Sequence, residues 1–184
     1  MAIGLANEAH SLERYIGEIR SIWDDGKDPQ LPLKVKSLLE KLLASISPDE
    51  PWMAQLIKEA KPSRELYRDP DYGFIQMGHV HQQGHSNSPH DHGPCWVLYG
   101  SYKGVTEITT YRRTDDGKEP GRATLEKKEL HRLSPGTVRT YLPGDIHTTR
   151  AIEAPCVVFR FLSYDLNQIE RHRYNLEKGT VSLA

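Results

Sequence analysis

Histidine is where this chain concentrates its chemistry. Nine occur in 184 residues, and His79, His81, His85, His90 and His92 fall within fourteen consecutive positions. Inside that stretch His90-Asp91-His92 sets two imidazoles two residues apart, a spacing that on a strand or extended edge turns both to one face, where they can share a metal ion. Gly84 stands six positions before His90, with five residues between them, and Gly104 twelve after His92. Much later, Gly136 opens a segment that ends in Pro143-Gly144-Asp145-Ile146-His147, and this brings a third imidazole.

Side chains spread over sixty positions need a scaffold to converge. From about Phe74 the apolar period is two: Phe74–His81, Cys95–Tyr102, Val105–Arg112, Thr137–Leu142 and Pro155–Phe161 are rich in Val, Ile, Tyr, Thr and Phe. Gly100, Gly104, Asp115-Asp116-Gly117, Pro135-Gly136 and Pro143-Gly144 separate them, and Arg112–Arg122 reads as an exposed hairpin loop. Short strands with such turns predict an antiparallel barrel or sandwich. The first sixty residues read differently. Leu12, Tyr15, Ile16, Ile19, Ile22 and Trp23 recur at three and four, as do Val35, Leu38, Leu39, Leu42 and Leu43. After Ser47-Pro48-Asp49-Glu50, which combines an N-cap with a Glu three residues on, a third helix is predicted. The expected organisation is a helical segment over 1–62 packed as a brace on a barrel over 63–184, the two forming one folding unit.

Composition narrows the function. Twenty-four Lys and Arg against twenty-five Asp and Glu leave a net charge of -1, so no global basic field draws nucleic acid or an anionic membrane. No apolar run approaches the roughly 20 residues a membrane span requires. Two lone cysteines, Cys95 and Cys156, make no disulfide framework, and the N-terminal residues lack the basic and apolar regions of a secretory leader. A soluble cytoplasmic protein is expected, monomeric or homodimeric, with a small molecule as its partner.

The arrangement of the two histidine motifs resembles that of the cupins: glycine, five residues, His-x-His and a closing glycine, then a Pro/Gly turn and a third His. The resemblance implies a mainly β fold, a double-stranded β-helix or jelly-roll barrel with an N-terminal α-helical segment, and a metal on His90, His92 and His147. Cupins commonly add a Glu after the second His with three or four residues intervening. Here those places hold Trp96 and Val97. Three neutral imidazoles leave a divalent ion its full charge and roughly three open positions, which suits an ion that takes a bidentate substrate together with dioxygen. Imidazole donors favour Fe, Ni, Cu or Zn over Mg or Ca.

Arg64-Glu65-Leu66-Tyr67-Arg68-Asp69-Pro70, Phe74, Gly84 and Ser88-Pro89-His90-Asp91-His92 are similar to the cysteine dioxygenase family, three-His iron cupins whose bacterial members include 3-mercaptopropionate dioxygenases. The likeness runs from about Arg64 to Leu176. It implies Fe(II) on the three histidines, oxidation of a thiol carboxylate to a sulfinate, and an arginine for the substrate carboxylate at Arg64. Two departures follow. The position of the family's cross-linked cysteine is Val97, with Cys95 two residues early, so no Cys-Tyr thioether is expected. The Ser-x-His-x-Tyr relay falls on Val158, Arg160 and Leu162, with Tyr164 a substitute for the tyrosine only after a two-residue slip. If that face of the strand lines the pocket, Arg160 holds a substrate carboxylate or pairs with Glu107; in the other register it turns to solvent. His79 and His81 are read as packing near the site, and His10, His131 and His172 as ordinary surface or core residues. The alternatives are a three-His dioxygenase that cleaves a carbon–carbon bond of a diketone or hydroxyketone, and a non-catalytic ligand-binding cupin.

Overall fold

Three strands present different chemistry on their two faces, and that alternation organises the molecule. The computed structural model describes residues 10–24 and 26–184. In it β1 (Arg64–Arg68), β2 (Ile75–His81), β3 (Val97–Arg113), β4 (Leu125–Leu133), β5 (Val138–Tyr141) and β6 (Ile146–Leu162) form one antiparallel sheet ordered β1-β2-β6-β3-β4, with β5 on the first part of β3. The long strands β3 and β6 pair from Val97 opposite Leu162 to Tyr111 opposite Ile146. Along β2, β3 and β6, Ile75, Val97, Tyr99, Cys156, Val158 and Leu162 point into the barrel, and Val80, Leu98, Val157, Phe159 and Phe161 point out of it.

The outward face is covered by α1 (Ser11–Ile22), α2 (Leu31–Ser45) and α3 (Pro51–Glu59). Their three-and-four periodicity gathers Tyr15, Ile19, Val35, Leu39, Met53 and Leu56 against Phe74, Phe159 and Phe161 in one continuous core. A fully buried Leu or Phe side chain contributes roughly 1.5–3 kcal/mol, so this layer binds helices and sheet firmly together. Polar clamps fix its edges. The Glu50 carboxylate accepts from Ser11 N and Oγ at 2.8 and 2.9 Å and from Trp52 Nε1 at 2.9 Å. The buried Asp69 carboxylate takes the Arg20 guanidinium, Tyr67 Oη and the Asp71 and Tyr72 amides. No described helix is long and apolar enough to cross a membrane.

Several boundaries differ from those expected. Cys95–Tyr102 and Val105–Arg112 are halves of one strand, because Gly104 bends the chain without ending it: its φ is +74°, and a β-carbon there would stand 2.4 Å from the Glu153 carbonyl oxygen. β6 likewise extends back from Pro155 to Ile146. The third helix begins at Pro51, since Ser47–Glu50 closes on itself as a turn, with Ser47 N donating to Glu50 Oε1 at 3.2 Å and Glu50 N to the Ser47 carbonyl at 3.2 Å. Four strands lie beyond those expected: β1, β4 and the hairpin pair β7 (His172–Asn175) and β8 (Thr180–Leu183).

Candidate metal centre

His90 is held by backbone on both sides. Its amide donates to the His147 carbonyl at 3.1 Å and its carbonyl accepts from the His147 amide at 3.0 Å, which joins the first motif to the start of β6. On the other side Asp91 N donates to the His172 carbonyl at 3.1 Å and Tyr174 N to the Pro89 carbonyl at 2.8 Å. Residues 89–91 thus lie as a short extended edge between β6 and β7. Asp91 locks the arrangement from within: its carboxylate accepts from Gly93 N and His172 N at 3.0 Å each, from Tyr174 Oη at 2.9 Å, and meets the His172 ring at 3.1 Å. Gly93, at φ +56°, lets the chain pass so close to the Glu170 carbonyl that a β-carbon would stand 2.2 Å from that oxygen.

The three imidazoles converge. Ring centroids of His90, His92 and His147 lie 4.8 to 5.0 Å apart, and one donor nitrogen from each falls within 4.8 Å of the others. His90 Nδ1 lies 2.9 Å from the Ser88 carbonyl, which can only accept, so the proton sits on Nδ1 and Nε2 keeps its lone pair. His92 Nε2 and both nitrogens of His147 are buried with no hydrogen-bond partner. Burial pushes the pKa of all three rings down, and for His147 the neighbouring His90 and Arg160 charges push the same way. Neutral rings with buried nitrogens unpartnered among the described residues suit a divalent transition metal, which can accept their lone pairs.

Two tyrosines and one arginine complete the inner wall. His147 lies with its centroid 4.3 Å from that of Tyr141 and edge-on to Tyr99 at 5.4 Å. The Tyr141 hydroxyl is buried without a partner, and burial raises its pKa. Arg160 stands opposite Tyr99 in register, its guanidinium carbon 6.0 Å from that ring's centroid, with Nε buried and unpartnered. It lines a cavity of about 460 Å³ together with His90, His92, Arg171 and Arg173. Arg160 therefore shares the inward face with Val158 and Leu162, both buried.

Other expected residues are placed elsewhere. Glu107 is not the partner of Arg160: it accepts from Arg150 Nη2 at 3.0 Å, across the β3–β6 pairing. Arg64 does not reach the cavity. It is opposite Gly78, on the face of β2 that meets the helices, and its Nη1 lies 3.2 Å from Glu59 Oε1 at the end of α3. Tyr164 is half-exposed outside the barrel, so it does not replace the relay tyrosine. Cys95 is buried with its sulfur 3.3 Å from Ser163 Oγ. His79 turns Nδ1 to the Pro62 carbonyl at 2.8 Å and leaves Nε2 buried without a partner, while His81 stacks on His85 at 4.0 Å. His172 is the Asp91 partner already described, His131 pairs with Glu129 at 2.9 Å, and His10 caps α1. Tyr99, Tyr141, Arg171 and Arg173 were not expected at the site. Only strand parity, counted across from Arg160, offered a signal for Tyr99.

A rolled antiparallel sheet with helices on its outer face, carrying His-x-His on one edge and a third His on the adjoining strand, is a mainly β cupin barrel with an N-terminal α-helical segment, and its interior can hold a metal. Among solved structures the chain is similar to KdgF from Halomonas sp., at 18% identity and TM-score 0.43 over 58% of this chain and 83% of that one. It is similar to a cupin superfamily protein from Desulfitobacterium hafniense, at 18% identity and TM-score 0.40 over 56% and 76%. The Cnp3 cupin domain of Schizosaccharomyces pombe is a third, at 11% identity and TM-score 0.43 over 58% and 66%. No family model matches the chain, and no curated protein does.

Proposed function

We propose that the chain is a mononuclear iron(II) dioxygenase of the thiol dioxygenase kind, acting on a small thiol carboxylate. The observation that carries this reading is Arg160, an inward guanidinium with no carboxylate partner among the described residues, which lines one cavity with His90 and His92, two members of the three-His cluster that His147 completes. His90, His92 and His147 would hold the ion. Fe(II) held there would supply the redox chemistry with dioxygen; oxidation of the thiolate to the sulfinate gives up four electrons, which reduce both oxygen atoms of dioxygen, so no further reductant is needed. The chain's own part is positional. Arg160 presents two parallel N–H donors that fit a carboxylate, which fixes the thiol end toward the histidines. Where the thiol dioxygenases have a polar relay, Val158 and Leu162 make an apolar wall that keeps water from the reacting sulfur.

Protein purified without chelators and analysed for metal, then assayed for oxygen uptake with cysteine and 3-mercaptopropionate, tests this reading. Iron with sulfinate formed one-to-one with oxygen consumed is the expected result. Cleavage of a diketone or hydroxyketone would replace it with a carbon–carbon dioxygenase, and ligand binding without oxygen uptake with a non-catalytic cupin. Zinc in place of iron, being redox-inert, would remove the redox step, and nickel or copper would overturn the iron assignment.

A further inference from the structure

Three guanidinium groups border the cavity, one more deeply than the others. Arg160 comes from the barrel wall, while Arg171 and Arg173 flank His172 at the start of β7. Strand alternation explains the second pair: His172 and Tyr174 turn to Asp91, so Arg171 and Arg173 share the opposite side. Among the described residues, Arg160 and Arg173 pair with no carboxylate, and Arg171 donates only from Nε to the Leu166 carbonyl at 3.4 Å. The nearby carboxylate is Asp91, and its oxygens are already bound by Gly93, His172 and Tyr174. The cations act on one another and on the histidines. Burial and the charges of Arg173 and Arg160 lower the pKa of Arg171, and His90 is subject to all three.

Three adjacent cations facing a single carboxylate, Asp91, whose oxygens are already engaged, are unfavourable in a protein by itself. A thiol monocarboxylate would satisfy Arg160 and leave Arg171 and Arg173 facing each other. We propose that this site takes a small dicarboxylate, one carboxylate held by Arg160 beside the histidines and the second by Arg171 and Arg173 at the cavity mouth. The cavity, about 460 Å³, is of the size that small-molecule sites have. The proposal names the substrate class of the preceding section's site, and it rests on that reading only for the group that meets the metal.

The test is calorimetric titration of the full chain with succinate, propionate and inorganic phosphate at low salt, with the metal content of each sample measured alongside. Succinate should bind ~10-fold or more tighter than propionate, as a second charge-assisted contact requires. In the double variant Arg171→Gln, Arg173→Gln that preference should vanish with propionate affinity and metal content unchanged, whereas Arg160→Gln should weaken both ligands. The same ratio measured on His147→Ala protein separates the two readings. A metal-poor variant that keeps its succinate preference leaves the anion site standing whether or not the protein is a dioxygenase. Equal affinity for succinate and propionate, a preference that survives the double variant, or phosphate binding more tightly than succinate would each overturn the dicarboxylate assignment.

Discussion

On the outer face of β2, β3 and β6, Val80, Leu98, Phe159 and Phe161 meet the helices in a layer of apolar contact, with Trp23 and Phe74 at 4.8 Å and Phe74 and Phe161 at 5.4 Å. One residue along, the inner face of the same strands carries His79, His147 and Arg160, each with a buried polar atom that has no hydrogen-bond partner among the described residues. The contrast holds even for the polar residue of the outer face. Gln76 is fully buried, and its amide accepts from Tyr15 Oη at 3.0 Å and donates to the Met77 carbonyl at 3.0 Å. The outer face is complete as protein. Among the described residues the inner one leaves polar atoms for a ligand or water to pair, the kind of buried group that is otherwise costly to retain.

Removing a side chain from each face should therefore break different things. Phe161→Ala, on the outer face, should cost about 3–5 kcal/mol of stability by leaving a cavity, while the folded fraction keeps its metal; chemical denaturation with elemental analysis checks both. A loss under 1 kcal/mol would mean the helices are not fastened by that layer. On the inner face, His147→Ala should leave the fold standing and weaken metal binding by ~100-fold or more, beyond what loss of a supporting residue does. His90→Ala and His92→Ala should behave alike, and His131→Ala should keep full metal. Full occupancy of the His147 variant would dissolve the centre as described. A smaller effect is expected for Arg160→Lys, which keeps the charge and loses the fork: KM for a carboxylate substrate should rise ~10-fold. Its Tm should hold, because Glu107 is engaged by Arg150 and Arg160 has no protein acid to lose. Unchanged KM would remove Arg160 from substrate binding.

The smallest effect concerns acid. Burial, with the charge of His85, lowers the His81 pKa to about 4, and burial lowers those of His79, His92 and His147 as well. Between the ordinary histidine value of 6.5 and about 4 the unfolded chain binds protons that the folded chain does not. Stability then rises with pH across that window and is lost as pH falls through it. Metal-free protein should show a Tm that declines steadily from pH 6.5 to pH 4. A flat profile would show that these rings are not held neutral inside the barrel.

Much of the outer face could be read from the sequence, because helices announce themselves by periodicity and α1 and α2 needed nothing else. The histidine motifs were legible for a related reason: spacing of two and order along the chain are local properties. What escaped depends on tertiary register. The segment Leu125-Glu126-Lys127-Lys128-Glu129-Leu130 has no apolar alternation, yet it is a strand because β3 supplies a partner along one edge and solvent covers most of its side chains. Arg64 was placed at the site by resemblance, and its pairing with Gly78 turns it to the helices. Arg171 and Arg173 gave no signal, since their place at the cavity depends on Asp91 binding His172 and Tyr174 across eighty positions of chain.

That last contact bears on how the protein is made. The edge containing His90 lies between β6 and β7, so neither of its backbone neighbours exists when the ribosome has just delivered His90 and His92. One arrives with residue 147 and the other with residues 172 to 174. Contacts so distant in sequence close slowly, because loop-closure entropy must be overcome before they form. Assembly of the three imidazoles is consequently a late event in biogenesis: a nascent chain offers its two paired histidines unsupported, and an ion would meet all three donors only after His147 has joined them.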